Sequence, residues 1–190
     1  MLFKDDIQKL TKGFEAQYRG VNVWKSEEEI EWIYGDLRYI KDGNCYMPHI
    51  VNNESGHNNS VSGIPVQPAS VGRFTGVVGT DNTGETPEAI FEGDIVDFLG
   101  MVGEIVLMAG AYGISFRYSQ IDWDAVEKKI PEVTGCNNRL LSCMNDNFIS
   151  LWEIIWNFNV EEANCGDLIK VLGNAYENYN LLLGGESENE

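Results

Sequence analysis

The chain has 190 residues, 43% of them apolar, and carries 13 Lys and Arg against 30 Asp and Glu, a formal net charge of −17. That length suits one elaborated domain or two small ones, long enough to bury roughly 70% of the unfolded surface. The acid surplus argues against a protein that grips nucleic acid by its phosphates, which takes Lys and Arg, and no apolar run approaches the ~20 residues of a membrane span.

The charge is unevenly placed. Residues 1–71 hold seven Lys/Arg against ten Asp/Glu, a net of −3, whereas residues 72–190 hold six against twenty, a net of −14. A surface of that sign repels DNA and RNA and attracts a basic partner, with solubility alone as the competing explanation. The opening Met1-Leu2-Phe3-Lys4-Asp5-Asp6 lacks the apolar core of a signal peptide, so a cytoplasmic protein is expected. Cys45, Cys136, Cys143 and Cys165 fall at no recognised metal spacing, and His49 and His57 are the only histidines. Neither a metal nor a cofactor is expected, and the thiols are expected to act as small buried hydrophobes.

In chain order, Phe3, Ile7, Leu10 and Phe14 recur at helical spacing and predict an amphipathic helix over the first 16 residues. From Tyr18 to Val51 the pattern changes to strands: Val21 and Val23 alternate, Trp32–Ile40 forms a strand broken at Gly35, and Lys41-Asp42-Gly43-Asn44 turns the chain into Cys45–Val51. Residues 52–63, rich in Gly, Asn and Ser, predict a loop, and Val71–Thr75 a short strand. Gly79–Pro87 has the Asp, Asn and Gly content of a calcium loop without its alternating ligands or distal Glu, so a long turn is expected. Asp94–Leu99, Glu104–Met108 and Ile114–Tyr118 then follow as strands with corners at Gly100–Gly103 and Gly110–Gly113.

Asp122 is placed as the N-cap of a helix ending at Pro131, with Asp122-Trp123-Asp124 as a weaker cation-binding reading. Over 146–158, Phe148, Leu151, Trp152, Ile155 and Trp156 match a helical stripe, while alternation at Trp152, Ile154, Trp156 and Phe158 leaves a strand open. Leu168–Leu172 predicts the last strand, ended by Gly173-Asn174 and followed from Gly184 by an acidic tail.

Two blocks organise the C-terminal half: Phe91-Glu92-Gly93-Asp94-Ile95-Val96 and Val171-Leu172-Gly173-Asn174-Ala175-Tyr176-Glu177-Asn178. They look like the first and last strands of a small closed sheet, with Asp94 and Glu177 capping backbone at its corners. With Tyr18-Arg19-Gly20, Trp32-Ile33-Tyr34-Gly35-Asp36-Leu37 and Arg73-Phe74-Thr75-Gly76, they form five ordered islands over residues 18–182 that resemble the YopX family of bacteriophage and prophage proteins. Arg73 stands where that family commonly has Gln, and Tyr179-Asn180 where Pro-Glu is usual. The resemblance implies an SH3-like barrel in the C-terminal half and carries no activity or ligand.

The expected architecture is therefore mainly β with added helices (α+β). A helix over 1–16 precedes a β-rich part over 17–76, then a YopX-like barrel over 77–183 with a helical insertion at about 119–165, then the tail 184–190. No nucleophile with its base, no paired catalytic carboxylates and no phosphate-cradling glycine loop stands out in the sequence, so no catalytic residue is assigned and the protein is not expected to be an enzyme. The expected role is a phage accessory protein whose acidic face engages a host or phage protein with a basic surface, inhibiting or modulating a basic or nucleic-acid-binding host protein, without binding nucleic acid itself. Asp122, Asp124, Glu127, Glu132, Asp146 and Glu153 are the partner-binding candidates. The alternative is an oligomeric small-ligand binder, nucleotide-like in its target, with Trp123, Trp152 and Trp156 lining its pocket. Self-association into a homo-oligomer is expected from the N-terminal apolar stripe and the strand edges.

Overall fold

The computed structural model describes residues 18–25, 29–51, 63–116, 124, 126, 128 and 147–183, with the backbone alone at Asp167. The helix expected over 1–16, most of the loop at 52–63, the tail at 184–190, and Asp122, Trp123, Glu127, Glu132 and Asp146 lie outside them. The fold is mainly β, and its chain divides into two compact units, Met1–Phe74 and Thr75–Glu190.

The first unit holds β1 (Tyr18–Val21), β2 (Trp32–Asp42), β3 (Cys45–Val51), β4 (Ile64–Pro65) and the opening residues of β5 (Gly72–Thr80). Strand β1 pairs antiparallel with β2 on one side and, through Tyr18 opposite Arg73, with β5 on the other. Strand β2 pairs with β3, and β3 with β4. Strand β2 is continuous, not broken at Gly35, because that glycine sits in register opposite Tyr18. Ile33, Ile50 and Val66 form the core, with Leu37, Ile64 and Val71 packed against them. Gly20 belongs to this packing, since a Cβ there would strike the Val66 side chain.

The second unit takes the rest of β5 with β6 (Pro87–Phe91), β7 (Asp94–Phe98), β8 (Met101–Met108), β9 (Ala111–Ser115), β10 (Phe148–Ser150), α1 (Leu151–Asn157) and β11 (Ile169–Asn174). Its strand order is β10-β9-β8-β7-β11-β5, with β6 also on β5. Ile90, Val96, Phe98, Ile105, Ile114, Ile149, Ile154 and Ile169 supply the core. Val126 joins them, and the Lys128 amide donates to the Asp124 carbonyl at 3.3 Å, so the chain makes a helical turn where the sequence predicts a helix.

Several boundaries move. Strand β5 continues through Gly79 and Thr80, and β6 begins at Pro87, which shrinks the expected long turn to residues 81–86. The two expected glycine corners also tighten. Leu99-Gly100 and Ala109-Gly110 make the turns, all four residues with positive φ, as two-residue hairpin connections require. Gly103 and Gly113 instead lie inside β8 and β9. A Cβ on Gly103 would meet Ile114 and Phe116, and one on Gly113 the Phe148 ring and the Ile149 carbonyl. One glycine of each pair turns the chain, and the other makes room for a neighbour.

Candidate functional site

The two organising blocks lie side by side. Strand β7 pairs antiparallel with β11, with Asp94 opposite Asn174 and Val96 opposite Val171, and the Ala175 amide donates to the Gly93 carbonyl at 2.7 Å. Asp94 is fully buried, and its Oδ2 accepts from the Phe91 amide at 2.7 Å, closing the turn ahead of β7. After β11, Asn174 caps the chain. Asn174 Oδ1 accepts from the Tyr176 and Glu177 amides at 3.0 and 2.9 Å, and Asn178 Oδ1 accepts from the Asn174 amide at 3.2 Å. A Cβ on Gly173 would collide with that Asn178 side chain. These motif residues hold the sheet together.

The calcium-like turn is likewise self-contained. Asp81 Oδ1 accepts from the Thr83 hydroxyl at 2.6 Å and from the Thr83, Glu85 and Thr86 amides at 3.1, 3.2 and 3.3 Å. The Thr83 hydroxyl first, with the Thr86 and Glu85 donors adding to it, holds the Asp81 carboxyl well below its ordinary value of 3.8 against the opposing desolvation. Its acceptor capacity goes to turning the chain. Among the described residues no three His, Cys, Asp or Glu side chains gather as a metal-binding group. Burial pushes the Cys165 thiol up to about 12, which leaves it a packed, unreactive side chain.

Among the described residues, one exposed apolar feature lies on α1. Ser150 caps the helix: its Oγ accepts from the Glu153 amide at 3.1 Å, while Glu153 Oε2 accepts from the Ser150 amide at 2.9 Å. Leu151, Ile154 and Phe158 bury the inner face, and Phe158 meets Phe98 edge-on with centroids 5.9 Å apart. Trp152 and Trp156 therefore point outward, 62% and 54% exposed, one helical turn apart with ring centroids at 6.1 Å. Two neighbouring indoles standing in water on a short capped helix form a ridge.

The partner-binding candidates divide accordingly. Asp124 is exposed on its helical turn. Glu153 is half-buried and its carboxylate is taken up by the capping box, so it is a structural residue. The other four lie outside the described residues. Glu161 and Glu162 are further acids, exposed in the turn after α1. Trp152 and Trp156 were legible as a spaced pair, but an equally good helical stripe, Leu151, Ile154, Ile155 and Phe158, is the one that faces the core.

Comparison with protein-family models, with curated proteins and with solved structures finds no match to this chain. No helix among the described residues is long and apolar enough to cross a membrane.

Proposed function

We propose that this is a YopX-like phage or prophage accessory protein of the host cytoplasm, and that it works by docking on a basic protein rather than by catalysis. Its second unit is taken as a variant of the SH3-like barrel, with α1 as part of an insertion on that frame. The exposed Trp152–Trp156 pair carries the proposal. Tryptophan is enriched among the few residues that dominate binding energy at protein interfaces, and a soluble surface gains nothing from displaying two of them together. The setting supplies the complementary charge, since the chain from residue 72 onward carries a net of −14 with six Lys/Arg against twenty Asp/Glu. An apolar ridge on so acidic a chain suits a partner presenting an apolar spot within a basic field, such as a host protein whose surface otherwise handles nucleic acid.

The ligand-pocket reading is less well served, because both indoles are more than half exposed instead of enclosing a cavity. Two experiments separate the readings. Pull-down from host lysate across a salt series is expected to retain a basic protein at low salt and release it as salt rises. A thermal-shift screen with nucleotides is expected to leave the melting temperature unchanged, whereas a ligand that binds the folded state must raise it. Self-association remains part of the proposal, and sedimentation at varied concentration tests it.

A further inference from the structure

The β2–β3 hairpin reaches past the core it helps to build, and the face it carries outward ends in aromatic rings. Ile33, Leu37, Tyr39 and Lys41 alternate onto one face of β2, and Ile50, Pro48 and Tyr46 of β3 lie opposite Leu37, Tyr39 and Lys41. At the base of this face Ile33 and Ile50 are buried with Val66, and Leu37 packs against them. At the outer end Tyr39 and Tyr46 are 63% and 66% exposed. The two are diagonal neighbours on the ladder, about 7–8 Å apart, so their rings extend the core face as one platform.

We propose that this platform is the docking site of the chain's own N-terminal segment, with the stripe Phe14, Leu10, Ile7 and Phe3 laid outward from Leu37 over Tyr39 and Tyr46. The register of β1 delivers the segment there. Tyr18 lies opposite Gly35 and β1 runs from it toward Trp32, so the chain leading into Tyr18 arrives beside the outer half of β2, residues 36–42. Phe14 precedes Tyr18 by four residues, a reach of up to about 14 Å, and Leu37 is only about 7 Å along β2 from Gly35. Lengths agree as well. In helical form the stripe from Phe14 to Phe3 is about 16 Å long, and the face from Leu37 to the Lys41–Tyr46 pair is about 13 Å long. Charge does not oppose the contact, although the whole chain carries −17. Lys4, Lys9 and Lys12 balance Asp5, Asp6 and Glu15 in the segment, and Arg38 and Lys41 balance Asp36 and Asp42 in the arm. Two neutral surfaces, one with an apolar stripe and one with exposed rings, gain by covering each other. Docked within its own chain, the stripe is spent on the first unit, and self-association falls to the strand edges.

The test uses the full chain labelled with 13C at the Ile and Leu methyls, Ile7 and Leu10 being assigned from Ile7→Val and Leu10→Met. Nuclear Overhauser contacts from these two methyls to the Tyr39 and Tyr46 rings are expected, and are expected to persist when the labelled chain is diluted into excess perdeuterated chain. Their absence overturns the proposal. Their loss on dilution overturns it too, because the stripe would then lie on a second copy. Trypsin provides the second measurement, since Lys9 and Lys12 lie within the segment. Cleavage at these lysines is expected to quicken about tenfold or more in Tyr39→Ser/Tyr46→Ser with native circular dichroism, because access follows the population of the open form. Equal cleavage of the wild type and the folded variant would mean that the rings hold nothing.

Discussion

Asp94 shows how much of one motif residue is spent on folding. Its carboxylate is fully buried and takes the Phe91 amide, in a turn whose next carbonyl, that of Gly93, takes the Ala175 amide of the neighbouring block. Asp94→Ala leaves a buried amide without its acceptor, at a cost of about 1–3 kcal/mol, visible as a lower urea midpoint at constant slope. An unchanged midpoint would mean the turn holds without it. Asp81 makes a prediction of the opposite kind, in pH. Its folded pKa lies below its ordinary 3.8, so whatever stability it lends is present above that value and is lost only as pH falls through the depressed one. A 13C titration of the carboxyls is expected to show Asp81 still ionised at pH values below 3.8, and Thr83→Ala to move its midpoint back up. A wild-type midpoint near 3.8 would contradict the hydrogen bonds described.

At the scale of elements, the turn after α1 holds stored strain. Asn159, Glu162 and Ala163 have φ of 50°, 52° and 56°, in the left-handed region, where a side chain costs about 1–2 kcal/mol relative to glycine. The segment is fixed there because the Val78 amide donates to the Ala163 carbonyl at 3.0 Å and the Cys165 amide to the Val78 carbonyl at 2.7 Å. Ala163→Gly removes the steric part and adds some chain entropy to the unfolded state. The expected net gain is up to about 1 kcal/mol, read as a raised melting temperature; a loss would show that Ala163 is not strained. The same region marks the limit of what local pattern conveys. The hairpin turn at Asp42-Gly43-Asn44, strands β2 and β3, and the β7–β11 blocks were legible because turn chemistry and alternation both point the same way there. Over 146–158 the sequence favours a helix and leaves a strand open, and the chain does both, β10 over Phe148–Ser150 and then α1 over Leu151–Asn157. The rotation of α1 was not legible, because six of the eight residues from Leu151 to Phe158 are apolar and two stripes fit the period equally well. Long-range packing decided between them, through Ile149 of β10 opposite Ile114 of β9 and through Phe158 against Phe98. Gly103 and Gly113 were misplaced for a related reason, since the neighbours that require them, Phe116 and Phe148, are distant in sequence and close only in the fold.

For the whole molecule, the division of labour is between residues that hold the sheets and residues left over for contact. The motif glycines, Asp94, Asn174 and Asn178 hold the frame; Glu153 and Ser150 hold the helix; Trp152 and Trp156 stand exposed beside them. In the proposed docking, charge brings a partner close over a distance set by salt, about 8 Å at physiological strength and about 3 Å at 1 M, and the indoles supply the short-range hold. The direct measurement is quantitative co-purification from an expressing bacterial host, comparing the wild-type chain with the Trp152→Ala/Trp156→Ala variant at 0.1 and 1 M salt, each checked for native circular dichroism. A basic protein bound by the wild type at low salt, released at high salt and absent from the folded double variant is the predicted result; equal capture by both chains, or capture indifferent to salt, would contradict it.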